Sequence, residues 1–134
     1  MIDPSNVPPV SDDEELARYI FSSSHVRRAD KSLKPDAFMP PMNLELSVTR
    51  HLATNEVELW GIGETVALAS SRTLRGRADI DTKACLGQKL SVQAAPIIPQ
   101  NPNHAHIVGW PADKPARKIV ALEIAAKAKF IPKS

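Results

Sequence analysis

Twelve prolines punctuate this chain, and none falls between residues 42 and 95. Proline removes a backbone donor and fixes one dihedral, so element interiors disfavour it. The proline-free window is therefore the expected heart of the domain, and the proline-rich flanks are expected to be loops. At 134 residues the chain has the size of one domain and is too short for two comfortable cores. Residues 1–134 are thus read as a single domain, with 1–10 as a flexible or extended lead-in.

Within the window, Leu44, Leu46 and Val48 alternate with Glu45, Ser47 and Thr49, the pattern of a half-buried strand. Thr54 is placed as the N-cap of a helix carrying Glu56 and Glu58 in its first turn. Its apolar stripe is Leu59, Ile62 and Val66. Gly61 and Gly63 lie inside this helix, each at a cost of about 1 kcal/mol relative to alanine. That cost suggests close packing, a kink or an earlier helix end. Leu74, Gly76, Ala78 and Ile80 alternate with Arg75, Arg77, Asp79 and Asp81, and Leu90, Val92 and Ala94 with Ser91 and Gln93. Two strands are expected there, joined by a hairpin through Lys83–Lys89.

The flanks add two helices. Ser11 and Glu14 have capping-box spacing, and Leu16, Tyr19 and Ile20 follow at helical intervals, predicting a helix over about Asp12–Phe21. At the other end Asp113 caps a predicted helix over Lys114–Phe130, with Pro115 in its first turn. Its apolar residues fall into two sectors. Ile119, Leu122, Ala126 and Phe130 form one, while Val120, Ile124 and Ala128 form the other. A helix with two apolar faces is buried on both or meets a partner. A homodimer or a protein partner on Val120, Ile124 and Ala128 is therefore expected. Between His104 and Val108 a short extended piece is anticipated. The fold class is α+β: a small, mostly antiparallel sheet of three to four strands with about three helices.

Composition narrows the function classes. Apolar residues make up 43% of the chain and charged residues 24%, the balance of a globular protein rather than a disordered one. No apolar run nears the roughly 18 residues of a membrane span. The first ten residues lack a secretory h-region, and the single cysteine, Cys85, cannot form an internal disulfide, so the expected location is the cytoplasm. A net charge of +2 does not by itself imply nucleic acid, yet leaves it open as a ligand. The charge is bipolar. Asp3, Asp12, Asp13, Glu14 and Glu15 lie near the start, and Lys114, Arg117, Lys118, Lys127, Lys129 and Lys133 near the end.

Two clusters have residue types that do chemistry. His104 and His106, two apart on an extended segment, share a face. They suit acid–base catalysis, or metal ligation with His51, Cys85 or a carboxylate completing the set. Which metal or cofactor, if any, is not specified by the spacing. Arg50, His51, Arg75 and Arg77 form the second cluster, with Arg75 and Arg77 on one side of a strand where guanidinium forks grip phosphate. Asp79 and Asp81 extend the same side, so cross-strand ion pairs are the competing reading. Asn101-Pro-Asn103 is a turn former, and Trp110 is expected in the core.

The pieces Phe38-Met-Pro, Glu45-Leu-Ser-Val-Thr-Arg50, Glu58-Leu-Trp60 and Asn101-Pro-Asn-His-Ala-His-Ile-Val-Gly-Trp-Pro111 resemble a group of small uncharacterised bacterial proteins. Those proteins share an LSV-x-R strand motif and an N-P-x-H-A-x-I-x-G-W-P segment before the last helix. The resemblance runs from about Leu16 to Phe130 and implies a bacterial, cytosolic origin without an activity. No Walker loop, HExxH helix, nucleophile elbow or helix-turn-helix is present. Whether the protein is an enzyme stays open. One reading is a non-enzymatic accessory or interaction component of a bacterial operon. The other is a small enzyme or binding protein for a phosphate-bearing ligand, a nucleotide or RNA, with histidine acid–base chemistry.

Overall fold

A central strand buried on both faces organises the molecule. The computed structural model describes residues 1–134. It is α+β with one antiparallel six-stranded sheet, larger than the three to four strands expected, in the order β4-β5-β2-β1-β3-β6. The strands are β1 (Glu15–Ile20), β2 (Leu46–Arg50), β3 (Gly76–Asp81), β4 (Ser91–Ala94), β5 (His104–Val108) and β6 (Lys129–Pro132). The helices are α1 (Glu56–Ala69), α2 (Thr82–Leu86) and α3 (Lys114–Lys127), so the expected number of helices is found although one is placed differently.

The first predicted helix is strand β1. Leu16, Ala17, Tyr19 and Ile20 are all buried, because β1 lies between β2 and β3 and is covered on both faces. A strand buried on both faces carries apolar residues at every position, and Leu16, Tyr19 and Ile20 then mimic helical spacing. The Ser11–Glu14 turn does form, with the Ser11 amide donating to Glu14 Oε2 at 2.8 Å. Glu14 then turns inward rather than starting a helix.

The hairpin expected between β3 and β4 is also replaced. β5, β2 and β1 lie between those strands in the sheet, and short α2 begins the crossover. The last helix stops at Lys127, and Phe130 sits on edge strand β6 opposite Ala78. β2 starts at Leu46 rather than Leu44, because Leu44 adopts a left-handed φ of 59° and closes the turn from Pro41.

One sheet face carries the main core: Leu16, Ile20, Leu46, Val48, Ala78, Ile80 and Ile107 pack with Phe38 and with Ala121, Ile124 and Ala125 of α3. Trp110 joins this core, with its indole N–H donating to the Ile107 carbonyl at 2.9 Å. Val120 and Ala128 pack on the same cluster, and Ile124 is wholly buried. The sector assigned to a partner is thus covered by the chain itself. The outward sector of α3 is the one with Ile119 and Leu122, 64% and 46% exposed. A partner meeting α3 would meet those two side chains.

Helix α1 covers part of the opposite face, starting at Asn55 rather than Thr54. Asn55 accepts from the Glu58 amide, and Glu58 reaches back to the Asn55 amide, a complete capping box. Its two inner glycines have different reasons. A Cβ on Gly63 would lie 2.7 Å from the Tyr19 ring and 3.0 Å from Leu74, whereas one on Gly61 would meet nothing. The Tyr19 hydroxyl donates to the Leu59 carbonyl, so its ring cannot swing aside without losing that bond. Gly63→Ala should therefore lose about 1–3 kcal/mol by overpacking, while Gly61→Ala should gain about 1 kcal/mol from helix propensity. Urea unfolding midpoints of the two variants, moving in opposite directions, check this.

Candidate functional site

The sequence-predicted arginines do not share one job. Arg50 is wholly buried, and its Nε and Nη2 each donate to a Glu14 carboxylate oxygen at 2.7 Å. Its remaining donors reach the Pro8 carbonyl at 2.7 Å and the Pro9 carbonyl at 3.2 Å. All three guanidinium nitrogens are engaged and the side chain is wholly buried, so Arg50 holds the lead-in segment to the sheet and is out of reach of an external phosphate. Residues 1–10 are tied to the fold, since the Ile2 amide donates to Asn103 Oδ1, and they include a turn closed by the Asn6 amide on the Asp3 carbonyl.

Arg77 is spent in a similar way. It donates to both Glu56 oxygens at 2.8 Å, and to Asp79 at 2.9 and 3.2 Å, with the Trp60 ring 4.9 Å from its guanidinium carbon. The bidentate bonds from Arg77 hold the Glu56 carboxyl below its usual range. His51 Nε2 donates to Asp79 Oδ1 at 3.0 Å, and its Nδ1 lies 3.2 Å from Glu15. Burial alone would raise the Asp79 carboxyl; the bonds from His51 and Arg77 outweigh it and hold the group down. Of the two readings of this sheet face, ion pairing is the one that describes Arg77 and His51.

Glu15, His51 and Asp79 bring ligand-type atoms within 4.8 Å of one another. The donor types fit a metal, but the cationic role beside Asp79 is already taken by Arg77, which reaches both of its oxygens. A divalent ion would have to approach against that guanidinium.

His104 and His106 do share a face, with ring centroids 4.7 Å apart in an edge-to-face contact. His104 Nδ1 donates to the Ala95 carbonyl at 2.9 Å, and His106 Nδ1 lies 3.2 Å from Glu45. Cys85 is in the core with its thiol pushed up to about 12 by burial, so it joins neither a metal set nor a nucleophilic pair. Burial, reinforced by His106, lowers His104 below its ordinary 6.5 against the opposing pull of Ala95 and Glu45.

A lowered histidine binds its proton more readily in the unfolded chain. Its contribution to stability is therefore complete above an unfolded value of about 6.5. It is lost as pH falls from there through the lower folded value. Burial lowers His25 as well and adds to the same slope. The urea midpoint should thus fall as the pH is lowered from about 7 through the folded values of these histidines, and His104→Gln should flatten part of that fall.

Arg75 behaves differently from its neighbours: it is exposed and lines a cleft of about 850 Å³. The other wall is a small ribbon closed by the Val26–Leu33 bridge, whose tip is Arg27-Arg-Ala-Asp-Lys31. Lys31 takes a left-handed φ of 61° in that turn, and its amide donates to the Arg27 carbonyl. Arg27, Arg28, Lys31, Lys34 and Arg75 all line the cleft. None of these five forms an ion pair; of the 17 lysines and arginines only Arg50, Arg77 and Lys133 do, so what sets the five apart is that they gather on one cleft. The one acid in the tip, Asp30, is turned onto the Ser32 amide and hydroxyl at 3.0 and 2.7 Å. Arg27 is braced by the Leu33 carbonyl and the Ser32 hydroxyl.

The floor is apolar. Phe130 lies across β3 where a Cβ on Gly76 would come within 2.7 Å of its ring, and Val26 and Pro132 flank it. The histidine pair is remote. β2 and β1 separate β5 from β3, so His104 and the β3 row opposite it are about 14 Å apart at the usual strand spacing. Arg75 lies four residues further along the strand, about 13 Å. His104 and His106 line neither this cleft nor a second one of about 820 Å³.

No protein-family model, no curated protein and no solved structure matches this chain. No helix is long and apolar enough to cross a membrane.

Proposed function

We propose that the protein is a non-enzymatic accessory module that binds a phosphate-bearing ligand, a nucleotide or RNA, in the cleft between the 26–33 ribbon and Arg75. The observation that carries this reading is the set of five unpaired cations gathered on one apolar floor. Self-repulsion among them destabilises the free protein and is relieved by an anion. Guanidinium forks suit phosphate oxygens, and the floor suits a base or another flat apolar group. The 14.6 kDa chain would act in the cytoplasm as one component of a bacterial operon.

The histidines are not assigned a catalytic role. They are held by a backbone carbonyl and by Glu45, and sit well away from the cations. The test is calorimetric titration with inorganic triphosphate at about 50 mM salt, where phosphate contacts are strongest. Binding that weakens steadily as salt rises supports the reading. Absence of binding at millimolar triphosphate would overturn it.

A further inference from the structure

A second cleft of about 820 Å³ adjoins the first and repeats its chemistry. Ser24 and Val26 line the first cleft while His25 lines the second, and Lys34 lines the first while Asp36 lines the second. The segments at 24–26 and 34–36 are thus the wall that the two clefts share. Beyond it stand Lys114 and Lys118 at the start of α3, both exposed and neither in an ion pair. Arg117 is committed to the Pro111 and Ala112 carbonyls. The floor is again apolar, made by Met39, Pro40, Pro41 and Leu44, with Met42 fully exposed at the rim.

From this arrangement, and resting on the reading of the first cleft, we infer that the ligand is a single strand of nucleic acid running through both clefts. Two features point to a strand. The cations extend past the volume that one nucleotide occupies, which a mononucleotide leaves unused. Each cleft also pairs cations with apolar floor, matching a polymer that alternates phosphate and base; inorganic polyphosphate has nothing to place on Phe130 or Met39. Single-strand sites combine a charged track for the backbone with aromatic side chains on which bases stack; Phe130 offers such a face in the first cleft, and the second offers aliphatic surface. Asp36 and His25 sit at the shared wall, so the strand passes them between its phosphates.

The experiment is fluorescence anisotropy with labelled oligothymidylates of about three and about ten nucleotides, lengths that fill one cleft or both. It compares wild type with a Lys114→Gln, Lys118→Gln variant and an Arg28→Gln, Arg75→Gln variant. All four side chains are exposed and free of ion pairs, and melting curves confirm the fold of each variant. We expect the lysine variant to weaken the long strand about tenfold while leaving the short one unchanged. Its salt slope for the long strand should fall by about 1.4, two contacts at roughly 0.7 each. The arginine variant should weaken both lengths. Long and short strands losing affinity equally in the lysine variant, or not at all, would overturn the inference and leave the first cleft standing. Inorganic polyphosphate binding as tightly as the long oligonucleotide would also overturn it. Binding of neither length by a wild type that still binds inorganic triphosphate would overturn this inference alone, and loss of triphosphate binding as well would remove both readings.

Discussion

Glu14→Ala should destabilise the fold by about 3–5 kcal/mol, the cost of stripping one partner from a buried ion pair. Arg50 has no exposed surface, and four of its five guanidinium N–H donors are taken by two Glu14 oxygens and the Pro8 and Pro9 carbonyls. Removing the carboxylate leaves a buried cation that cannot reach water and cannot shed its proton. Arg50→Met should do less harm than Glu14→Ala, since methionine fills much of the stem and leaves the smaller acid near the loop. A Glu14→Leu, Arg50→Met double variant should recover much of the loss, because well-packed apolar replacements of a buried pair are often neutral. Urea unfolding of the three variants gives the ordering directly. If Glu14→Ala lost less than about 1 kcal/mol, the pair would have to be a surface-like contact.

Reversing charge in the cleft should have the opposite profile, with large effects on binding and little on stability. Arg28→Glu with Arg75→Glu should weaken binding of a phosphate-bearing ligand by about 100-fold or more, since each hydrogen bond to a charged phosphate contributes about 1.5–3 kcal/mol. Neither side chain forms an ion pair or a side-chain hydrogen bond within the protein, so the melting temperature should stay within a few degrees. The same reversal at Arg77 would be uninformative, because Arg77 holds Glu56 and Asp79 and its loss would disturb the fold.

How much of this could be read from the sequence depends on how locally each feature is specified. Strands β2, β4 and β5 alternate cleanly, and α1 and α3 carry their own caps, so the start of each was legible within a residue or two. β1 was not, because a doubly covered strand loses its alternation, and its apolar set fits a helix equally well. β6 was absorbed into the last helix, since Phe130 continues the α3 periodicity until Ala128 takes an extended conformation.

At the site, Arg75 was found, but Arg50 and Arg77 were grouped with it because sequence cannot show which cation has a buried acid waiting. Glu14 and Glu56 come from 36 and 21 residues away. The ribbon cations were visible as an exposed loop and became a site only when the fold set them against Arg75. Asn103 was missed as well. It was read as a turn former, and it is wholly buried, with its amide nitrogen 2.7 Å from the Arg50 carbonyl and 2.9 Å from that of Leu52. Its local Asn-Pro-Asn signal names a turn and carries no trace of those long-range partners.

The most direct test of the central claim is a residue-resolved amide titration of the folded protein with a short oligonucleotide or inorganic triphosphate. The cleft reading predicts that the shifting amides cluster at Val26–Lys34, around Arg75 and along Phe130–Lys133. Shifts confined instead to His104, His106 and Glu45, or to Glu15, His51 and Asp79, would contradict it and move the functional site to that cluster.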